Sequence, residues 1–209
     1  MKGVFIFYSS PIYKMNIAIF ASGNGSNAQA IIRHFELSKE VCIKCIITNN
    51  FQAGIINSAK PLGVPTFVFG KEDLNNDALL LDFLQQNSIE FIVLAGYLKK
   101  ISSAIVTAFP NAIVNIHPAL LPQFGGKGMH GMHVHEAVLK SGSKKTGITI
   151  HYVNEAYDEG QIIFQESCEV LPNDTAENIA KRVLTLEHKN YPTVLEKLFL
   201  QKKIASSSV

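Results

Sequence analysis

Short apolar runs rich in β-branched residues alternate with longer amphipathic segments from Met15 to His117. Such runs predict buried strands, and the segments between them are long enough for helices. The predicted strands are residues 17–21, 41–48, 66–69, 91–95 and 112–116. The predicted helices are residues 27–36, 53–60, 76–87 and 102–109, with Asn76 and Ser102 as N-caps and Pro61 and Pro110 as helix stops. Strand and helix alternation predicts parallel strands joined by right-handed crossovers, hence a doubly wound, Rossmann-like sheet covered on both faces.

The alternation ends after His117, where residues 118–131 are rich in Pro and Gly. A loop of this length in a compact domain is usually functional, and we expect it to close over bound substrates. A predicted helix at 132–140 follows. Strands at 146–153 and 161–170 come next, joined by a turn too short for a crossover helix, so they are predicted to be antiparallel. The predicted fold class is therefore α/β, with a mostly parallel sheet and an antiparallel strand pair near the C-terminus.

A long helix is predicted at the end of the chain. Asp174, with Glu177 three residues later, has the pattern of a helix start. Pro192 is predicted to bend or restart that helix because proline cannot donate its backbone hydrogen bond.

A single domain is expected over residues 15–200, because the chain has 209 residues of which 47% are hydrophobic. Residues 1–14 are expected to be an N-terminal extension outside the fold, with Met15 the functional start, since the segment has no persuasive cleavage site for export. Residues 201–209 are expected to be a polar tail.

The charge balance argues against large anionic partners. The net charge is +2, and no block of Lys or Arg is present, so no nucleic-acid partner is expected. No run is apolar for the roughly 20 residues that a membrane span needs, so no membrane partner is expected either.

The cysteine content points to a reducing compartment. Three cysteines are an odd and sparse set, which favours a cytoplasmic protein over a disulfide scaffold. Cys42 and Cys45 have the spacing of a redox motif, but in a strand residues three apart face opposite sides of the sheet, so a redox role is not expected.

A glycine-rich turn, Ser22-Gly23-Asn24-Gly25-Ser26-Asn27, directly follows the first predicted strand. Its glycines permit a tight turn, and the next helix offers unpaired N–H groups and the positive end of its dipole. Both features predict an anion site. We expect Gly25, Ser26 and Asn27 to hold a monophosphate ester.

Two alternatives remain open for this turn. The spacing also fits the dinucleotide fingerprint Gly-x-Gly-x-x-Ala, but that motif expects an acid after the second strand, where Thr48-Asn49-Asn50 stands. The other alternative is a turn that only closes the strand onto the helix.

Asn115 and His117 lie two residues apart where the fifth predicted strand ends. Because strand side chains repeat every second residue, both point into the crevice at the strand's carboxyl end, and Pro118 marks where the chain leaves the sheet. A role limited to satisfying backbone groups of the following loop is the alternative.

Asp158 lies in the turn between the two late strands, and it either only makes that turn or approaches His117. In the second case its carboxylate would raise the pKa of His117. Asn115, His117 and Asp158 would then supply a neutral donor, a tunable donor and a charge that tunes it, which is a catalytic arrangement.

The remaining polar candidates have less specific patterns. His130, His133 and His135 resemble a metal cluster, but the last two face different sides of a helix and no Cys or Asp joins them, so no metal is expected. His151 has no feature that distinguishes it from an ordinary core or surface histidine. Glu187 fits either a solvated helix face or a ligand contact.

With these residues in place, the chain resembles the folate-dependent phosphoribosylglycinamide formyltransferase family. The resemblance runs from Met15 to about Leu198. It is carried by four blocks in order: Ser22-Gly23-Asn24-Gly25-Ser26-Asn27, Leu94-Ala95-Gly96-Tyr97, Asn115-Ile116-His117-Pro118 with Leu120-Leu121-Pro122, and Tyr157-Asp158-Glu159-Gly160.

The resemblance implies the formyltransferase fold and a role in de novo purine biosynthesis. It implies transfer of the formyl group of 10-formyltetrahydrofolate to the amine of 5'-phosphoribosylglycinamide, with tetrahydrofolate and 5'-phosphoribosyl-N-formylglycinamide as products. It also implies that the reaction needs no metal and no covalent adduct with the enzyme. A monomer or a homodimer is expected.

The resemblance also implies roles for individual residues. The catalytic residues would be Asn115, His117 and Asp158, and the ribonucleotide would contact Gly25, Ser26, Asn27 and Glu187. The folate would contact Leu98, Lys99, Lys100 and Ile101, together with Asn115 and the turn around Asp158.

The sequence departs from the family pattern at two places. Lys99-Lys100 stands where an Arg followed by a branched apolar residue is expected, and residues 71–78 lack an Arg that some relatives place near the folate. Residues 1–14 have no counterpart in the family.

Three other functions are considered. A formyltetrahydrofolate hydrolase and a methionyl-tRNA formyltransferase share this core but carry an additional domain, for which the length of the chain leaves no room. A non-catalytic nucleotide-binding module would keep the glycine-rich turn without a reason for Asn115, His117 and Asp158 together.

Overall fold

The computed structural model describes residues 14–70 and 72–207. Nearly all of the predicted N-terminal extension therefore lies outside the described residues. Within the described ranges, strands β1 to β7 span Met15–Phe20, Val41–Thr48, Thr66–Val68, Phe91–Leu94, Ile113–His117, Lys145–Tyr152 and Ile162–Glu169. Helices α1 to α6 span Ser26–Phe35, Ile55–Ala59, Asp77–Gln86, Ser103–Ala108, Met132–Ser141 and Ala176–Ser207. The predicted strands and the first five predicted helices are confirmed, with ends shifted by one or two residues.

The strands form one sheet in the order β3-β2-β1-β4-β5-β6-β7. Strands β1 to β5 pair in parallel with one another, β6 is antiparallel to β5, and β7 is antiparallel to β6. The predicted mostly parallel sheet with an antiparallel pair near the C-terminus is therefore confirmed.

Both faces of the central strands are buried, which explains their continuous apolar runs. Ile17 and Ile19 of β1 pack into one hydrophobic cluster, and Ala18 and Phe20 pack into another. The first cluster includes residues of α1, α5 and α6, and the second includes residues of α3 and α4. A strand whose residues alternate between two apolar cores cannot have a polar face.

Two predicted N-caps are confirmed. The side chain of Asn76 accepts a hydrogen bond from the backbone N–H of Leu79 at the start of α3. The Ser102 hydroxyl accepts one from the backbone N–H of Ile105 at the start of α4. Each cap satisfies one of the N–H groups that a helix start leaves without an intrahelical partner.

The start of α6 differs from its prediction. Thr175, and not Asp174, caps the helix, since its hydroxyl accepts from the backbone N–H of Asn178. Asp174 instead accepts two hydrogen bonds from the guanidinium of Arg182, at 2.7 and 3.0 Å, and a third from the N–H of Leu171. The bidentate pair with Arg182 is the stronger use of a carboxylate.

Helix α6 also continues further than the sequence predicts. It passes through Pro192 without restarting, and it reaches Ser207, so residues 201–207 are helical where a polar tail is predicted. Packing outweighs the missing hydrogen bond at Pro192, because the adjacent Tyr191 is fully buried. The Tyr191 hydroxyl is shared between the carbonyl oxygens of Leu94 and Val114, at 3.0 and 3.1 Å, and so ties α6 to β4 and β5.

The described residues give two facts that bear on the environment of the protein. No helix within 14–70 and 72–207 is long and apolar enough to cross a membrane. The cysteines Cys42, Cys45 and Cys168 are free, and burial raises the pKa of Cys45 to about 12. A thiol with such a high pKa is not a reactive nucleophile at neutral pH, which argues against a redox role for the Cys42 and Cys45 pair.

Candidate active site

The strand order places a crevice next to β1. Strand β1 has β2 on one side and β4 on the other, so the connections that follow β1 and β4 leave the sheet in different directions. Ligands of doubly wound sheets bind at this kind of switch point. A cavity of about 650 Å³ lies here, which is a typical size for a small-molecule site.

Predicted site residues from distant parts of the chain line this one cavity. They are Asn27, Leu98, Lys99, Lys100, Ile101, Asn115, His117, Asp158 and Glu187. Gly25 and Ser26 are not among the lining residues; they directly precede Asn27, at the start of α1. Residues 126–132 also line the cavity; they belong to the long loop that follows β5 and, at Met132, to the start of α5.

His117 is the last residue of β5, and its side chain is almost fully buried in the cavity wall. Its Nε2 lies 2.7 Å from the carbonyl oxygen of Phe124, so we assign the proton of the neutral ring to Nε2. Its Nδ1 faces Oδ2 of Asp158 at 3.6 Å. A second proton on Nδ1 would therefore point at a carboxylate.

The predicted direction of the pKa shift of His117 is wrong. Burial lowers the pKa of His117, and this effect outweighs the increase caused by the Asp158 carboxylate and by the Phe124 carbonyl; His151 lowers the pKa further. The carboxylate acts as the sequence predicts, but desolvation of the imidazolium is the larger effect. His117 is therefore neutral at neutral pH.

Asp158 lies in the β6–β7 turn with a φ of 57°, in the left-handed region. Its Oδ2 accepts a hydrogen bond from the backbone N–H of Gly126 at 2.9 Å. Burial pushes the pKa of Asp158 upward, but contacts with His151, His117 and Gly126 together outweigh it and leave the pKa below its usual value. The turn is folded over the crevice, so Asp158 carries a negative charge beside His117, as the sequence predicts.

His151 is a site residue that sequence reasoning missed. It is paired with Asn115 across the antiparallel β5 and β6, and only 2% of its surface is exposed. Its Nδ1 lies 2.8 Å from the carbonyl of Tyr152, which assigns the proton to Nδ1. Its Nε2 then accepts from the Asn115 amide at 3.2 Å and lies 3.6 Å from Oδ1 of Asp158. The available signal is a histidine inside an apolar strand next to the strand of Asn115.

The first residues of the long loop are anchored by Thr149 of β6. The buried Thr149 hydroxyl donates to the carbonyl of Ala119 at 2.7 Å and accepts from the N–H of Leu121 at 2.9 Å. Gln165 of β7 donates both to this hydroxyl and to the carbonyl of Leu121. The chain that leaves His117 is therefore held in place by two neighbouring strands.

The glycine-rich turn has the geometry of an anion site. Gly25 has a φ of 69°, and a Cβ there would overlap the side chain of Ile55, so only glycine fits. Gly25 precedes α1, and no side chain caps this helix start. The first N–H groups of α1 and the positive end of its dipole are thus left for a ligand.

Asn27 and Glu187 meet beside this turn, although they lie far apart in the sequence. The Asn27 amide donates to Oε2 of Glu187 at 2.7 Å, and both residues are more than nine-tenths buried. Burial raises the pKa of Glu187 to about 7, and the hydrogen bond from Asn27 lowers it by less. The Oδ1 of Asn27 is buried without a hydrogen-bond partner. A ligand hydroxyl or amine would satisfy it.

The segment that follows β4 forms another wall of the cavity. Leu98 is 52% exposed and Ile101 is buried. The Lys100 ammonium lies 5.5 Å from the centre of the Tyr157 ring, which joins this segment to the turn that carries Asp158. Lys100, one of the two lysines that depart from the family pattern, therefore makes a cation–π contact.

The three histidines near 130 do not converge on one point. His133 is largely exposed and pairs with Glu136 at 3.5 Å. His135 points inward, where it is buried and its Nδ1 has no partner. Among the described residues, no group of three or more His, Cys, Asp or Glu side chains is arranged to hold a metal ion.

Comparisons with known proteins identify the family. A sequence model of the formyl transferase family matches residues 15–195. Phosphoribosylglycinamide formyltransferase of Bacillus subtilis is 37% identical over 186 residues, which cover 87% of this chain and 93% of that protein. The chloroplastic phosphoribosylglycinamide formyltransferase of Arabidopsis thaliana is 44% identical over 188 residues, which cover 87% of this chain and 64% of that protein. The chain thus spans less than two thirds of the length of the plant relatives that it matches.

A solved structure has the same fold. The phosphoribosylglycinamide formyltransferase of Anaplasma phagocytophilum superimposes with a TM-score of 0.82 at 35% identity, over 91% of this chain and 89% of that one. Sequence and structure agree that this chain belongs to the formyl transferase family, in the branch of the phosphoribosylglycinamide formyltransferases.

Proposed function

We propose that this protein transfers the formyl group of 10-formyltetrahydrofolate to the amine of 5'-phosphoribosylglycinamide, in de novo purine biosynthesis. The observation that carries this proposal is the convergence of Asn115, His117 and Asp158 in one cavity that also reaches the α1 anion site. The membership in the family supports the same reaction.

The ribonucleotide is held at the α1 end of the cavity. Its phosphate binds the N–H groups that follow Gly25, at Ser26 and Asn27, with the helix dipole adding to the attraction. Glu187 and the unpartnered Oδ1 of Asn27 contact hydroxyl or amine groups nearer the glycinamide. These contacts aim the amine toward Asn115 and His117.

The folate binds along the segment that follows β4 and under the turn that carries Asp158. Leu98 and Ile101 supply apolar contact area for the pterin, and Lys99 and Lys100 lie in the same cavity wall. In this position the formyl carbon lies next to Asn115, at the point where the folate site and the ribonucleotide site meet.

The reaction is a direct acyl transfer. The amine nitrogen attacks the formyl carbon, the tetrahedral intermediate carries an oxyanion, and the bond from that carbon to N10 of the folate then breaks. The amine loses one proton and N10 gains one. Asn115 donates a hydrogen bond to the oxyanion, and a donor of this kind is worth about 10² to 10³ in rate.

His117 becomes charged when the substrates react. Burial lowers its pKa in the resting protein, but an oxyanion that develops beside the ring favours the imidazolium, and Asp158 lies ready beside Nδ1 to stabilise the added charge. Asp158 and water pass the proton lost by the amine to Nδ1 of His117, and this proton gives the ring its charge. The imidazolium stabilises the oxyanion, and its Nε2 proton leaves the Phe124 carbonyl and passes to N10 as the bond to the formyl carbon breaks.

The test is a formyl-transfer assay with both substrates, monitored by the change in folate absorbance. We expect formylated ribonucleotide and tetrahydrofolate in equal amounts. Release of free formate without the ribonucleotide would indicate a hydrolase instead, and formylation only of methionyl-tRNA would indicate the tRNA enzyme. Binding of the ribonucleotide with no reaction at all would indicate a non-catalytic module.

Two finer points belong to this proposal. We place the protein in the cytoplasm, since its cysteines are free, and we expect a monomer or a homodimer in solution. The loop at residues 118–131, which lines the cavity, closes over the bound substrates and excludes water. Hydrogen exchange in this loop should slow when both substrates bind, and exchange that does not change would contradict closure.

A further inference from the structure

Ser22 joins the glycine-rich turn to the folate segment. It is the first residue of that turn and lies two residues after the end of β1. Its backbone N–H donates to the carbonyl of Gly96 at 3.0 Å, and its hydroxyl accepts from the N–H of Leu98 at 3.0 Å. One residue therefore holds the chain on both sides of Tyr97, just after β4.

The polarity of this contact is fixed by Asn49, which follows β2. The Ser22 hydroxyl donates to Oδ1 of Asn49 at 2.5 Å, so the oxygen lone pairs of Ser22 are directed at the N–H of Leu98. A hydrogen-bond chain then runs from Leu98 through Ser22 to Asn49, and such chains polarise and strengthen their members. In this way the connections after three neighbouring strands are tied together.

The position of Asn49 also bears on the dinucleotide alternative for the glycine-rich turn. A dinucleotide-binding protein places an acid after its second strand to bind a ribose hydroxyl. Here the position carries an amide that is already engaged by Ser22. The residue that follows β2 therefore makes a hydrogen bond within the protein in place of one to a ribose. The glycine-rich turn has the spacing of the fingerprint, but Asn49 stands where a dinucleotide site has its acid.

Ser22 acts at a distance from the substrates. It is 6% exposed and is not among the residues that line the cavity, whereas Leu98 lines it. Any effect of the hydroxyl on the folate must therefore pass through the position of Leu98. Leu98 lies in an irregular stretch between β4 and α4, where no ladder of backbone hydrogen bonds fixes it.

We propose that Ser22 is a positioning residue for the folate. Together with Asn49 it fixes the position of the Leu98 backbone relative to the turn that binds the ribonucleotide phosphate, so that the pterin can bind along this segment. This inference rests on the proposed function, because it names how the folate segment of that site is held. It assigns to Ser22 a role in affinity for the folate and none in the chemical step.

The test compares Ser22→Ala, Asn49→Ala and the matched control Ser58→Ala. The Ser58 hydroxyl donates to the carbonyl of Asn24, in the same turn, but has no contact with the folate segment in the described structure. The dissociation constant of tetrahydrofolate is measured by calorimetry, the KM of each substrate by the formyl-transfer assay, and the exchange rate of the Leu98 amide by NMR.

We expect Ser22→Ala to weaken tetrahydrofolate binding and to raise the folate KM by about tenfold, the effect of one lost buried hydrogen bond. Asn49→Ala should weaken binding about threefold, because it leaves the Leu98 contact in place but removes its polarisation. Leu98 should exchange faster in both variants, kcat at saturating folate should hardly change, and Ser58→Ala should bind as the unaltered protein does.

The outcomes separate this inference from the proposed function. A folded Ser22→Ala protein with unchanged folate affinity would overturn the inference while the enzyme remained active. A lower melting temperature with an unchanged folate KM would show a structural role only, and would also overturn it. If Ser22→Ala does not fold, Asn49→Ala decides by the same measurements. Failure of the unaltered protein to bind tetrahydrofolate would overturn the proposed function, and the inference with it.

Discussion

The two ends of the cavity differ in how completely their polar groups are satisfied. One end carries the proposed catalytic residues and is called the catalytic end: His117, Asp158, Asn115 and His151 contact one another or the backbone there, at distances between 2.7 and 3.6 Å. At the α1 end, Asn27 leaves a buried oxygen without a partner, and Glu187 has a pKa raised to about 7.

The difference separates two tasks. Catalytic groups must be held in place before the reaction, so the protein satisfies them by itself. Binding groups can stay partly unsatisfied in the free protein, since the ligand supplies the missing partner and the gain appears as affinity. Changes at the catalytic end should therefore lower kcat, and changes at the α1 end should act on binding and stability.

The largest effect is expected at the catalytic end. His117→Ala and Asp158→Asn should each lower kcat by about 10² to 10³, because each removes a charged or hydrogen-bonding group from the reacting centre. Steady-state kinetics measures this, and circular dichroism checks that the fold is intact.

Two exposed residues serve as matched controls. His133→Ala removes a largely exposed imidazole, and Glu159→Gln removes the charge next to Asp158 from an exposed side chain. Both should keep kcat within about twofold, as surface changes usually do. Near-normal turnover in His117→Ala and Asp158→Asn would reject the assigned roles.

The next effect concerns stability at the α1 end. Burial raises the pKa of Glu187 from 4.5 to about 7, so between these values the folded protein binds more protons than the unfolded chain. The contribution of Glu187 is then present below about pH 4.5 and is lost as the pH rises through 7. The free energy of unfolding of Glu187→Gln, relative to that of the unaltered protein, should therefore increase by up to about 3 kcal/mol as the pH rises from about 5 to about 9.

Urea unfolding of both proteins across this pH range measures the difference. The comparison of the two proteins cancels the titration of all other groups, which they share. A difference in unfolding free energy that stays constant with pH would show that Glu187 is already ionised at pH 5, and that burial does not control it.

A smaller effect is expected for ribonucleotide binding. Asn27→Ala should raise the KM for the ribonucleotide about tenfold and change kcat much less, because the Asn27 oxygen contacts the substrate equally in the ground state and the transition state. Asn57→Ala, an exposed amide on the neighbouring α2, is the matched control. A loss in kcat without a change in KM would contradict the division between the two ends.

The smallest effect is a change in the titration of His117. Asp158 raises the pKa of His117 against the larger lowering by burial, so Asp158→Asn should lower that pKa further. NMR of the labelled imidazole measures the shift directly. Glu159→Gln should leave the titration of His117 unchanged, and a higher pKa in Asp158→Asn would mean that the carboxylate does not act on the ring.

Local sequence patterns were sufficient to predict most of the secondary structure. Alternating apolar runs and turns predict the strands and the first five helices, because both depend on neighbouring residues. The cap at Asp174 was predicted wrongly, since Arg182, two helical turns later, takes that carboxylate. Residues 201–207 are polar in part but extend a helix already anchored by Tyr191.

The site was predicted less completely, because its contacts depend on strand pairing and on burial. His151 enters through its register with Asn115, which lies 36 residues away in the sequence, and no local pattern specifies that register. The hydrogen bond between Asn27 and Glu187 spans 160 residues. The resemblance to the family pointed to Asn27 and Glu187. The lowered pKa of His117 depends on how deeply its side chain is buried, which local sequence patterns do not determine.

The anchoring of the long loop limits where this protein can vary. Thr149 holds Ala119 and Leu121, the Phe124 carbonyl accepts from His117, and the Gly126 amide donates to Asp158. Insertions or deletions before Gly126 would displace His117 and Asp158, the two groups proposed to move protons. Residues 127–131 lie beyond these anchors and line the cavity, so changes of length or chemistry there should alter the cavity wall with the least effect on the positions of His117 and Asp158.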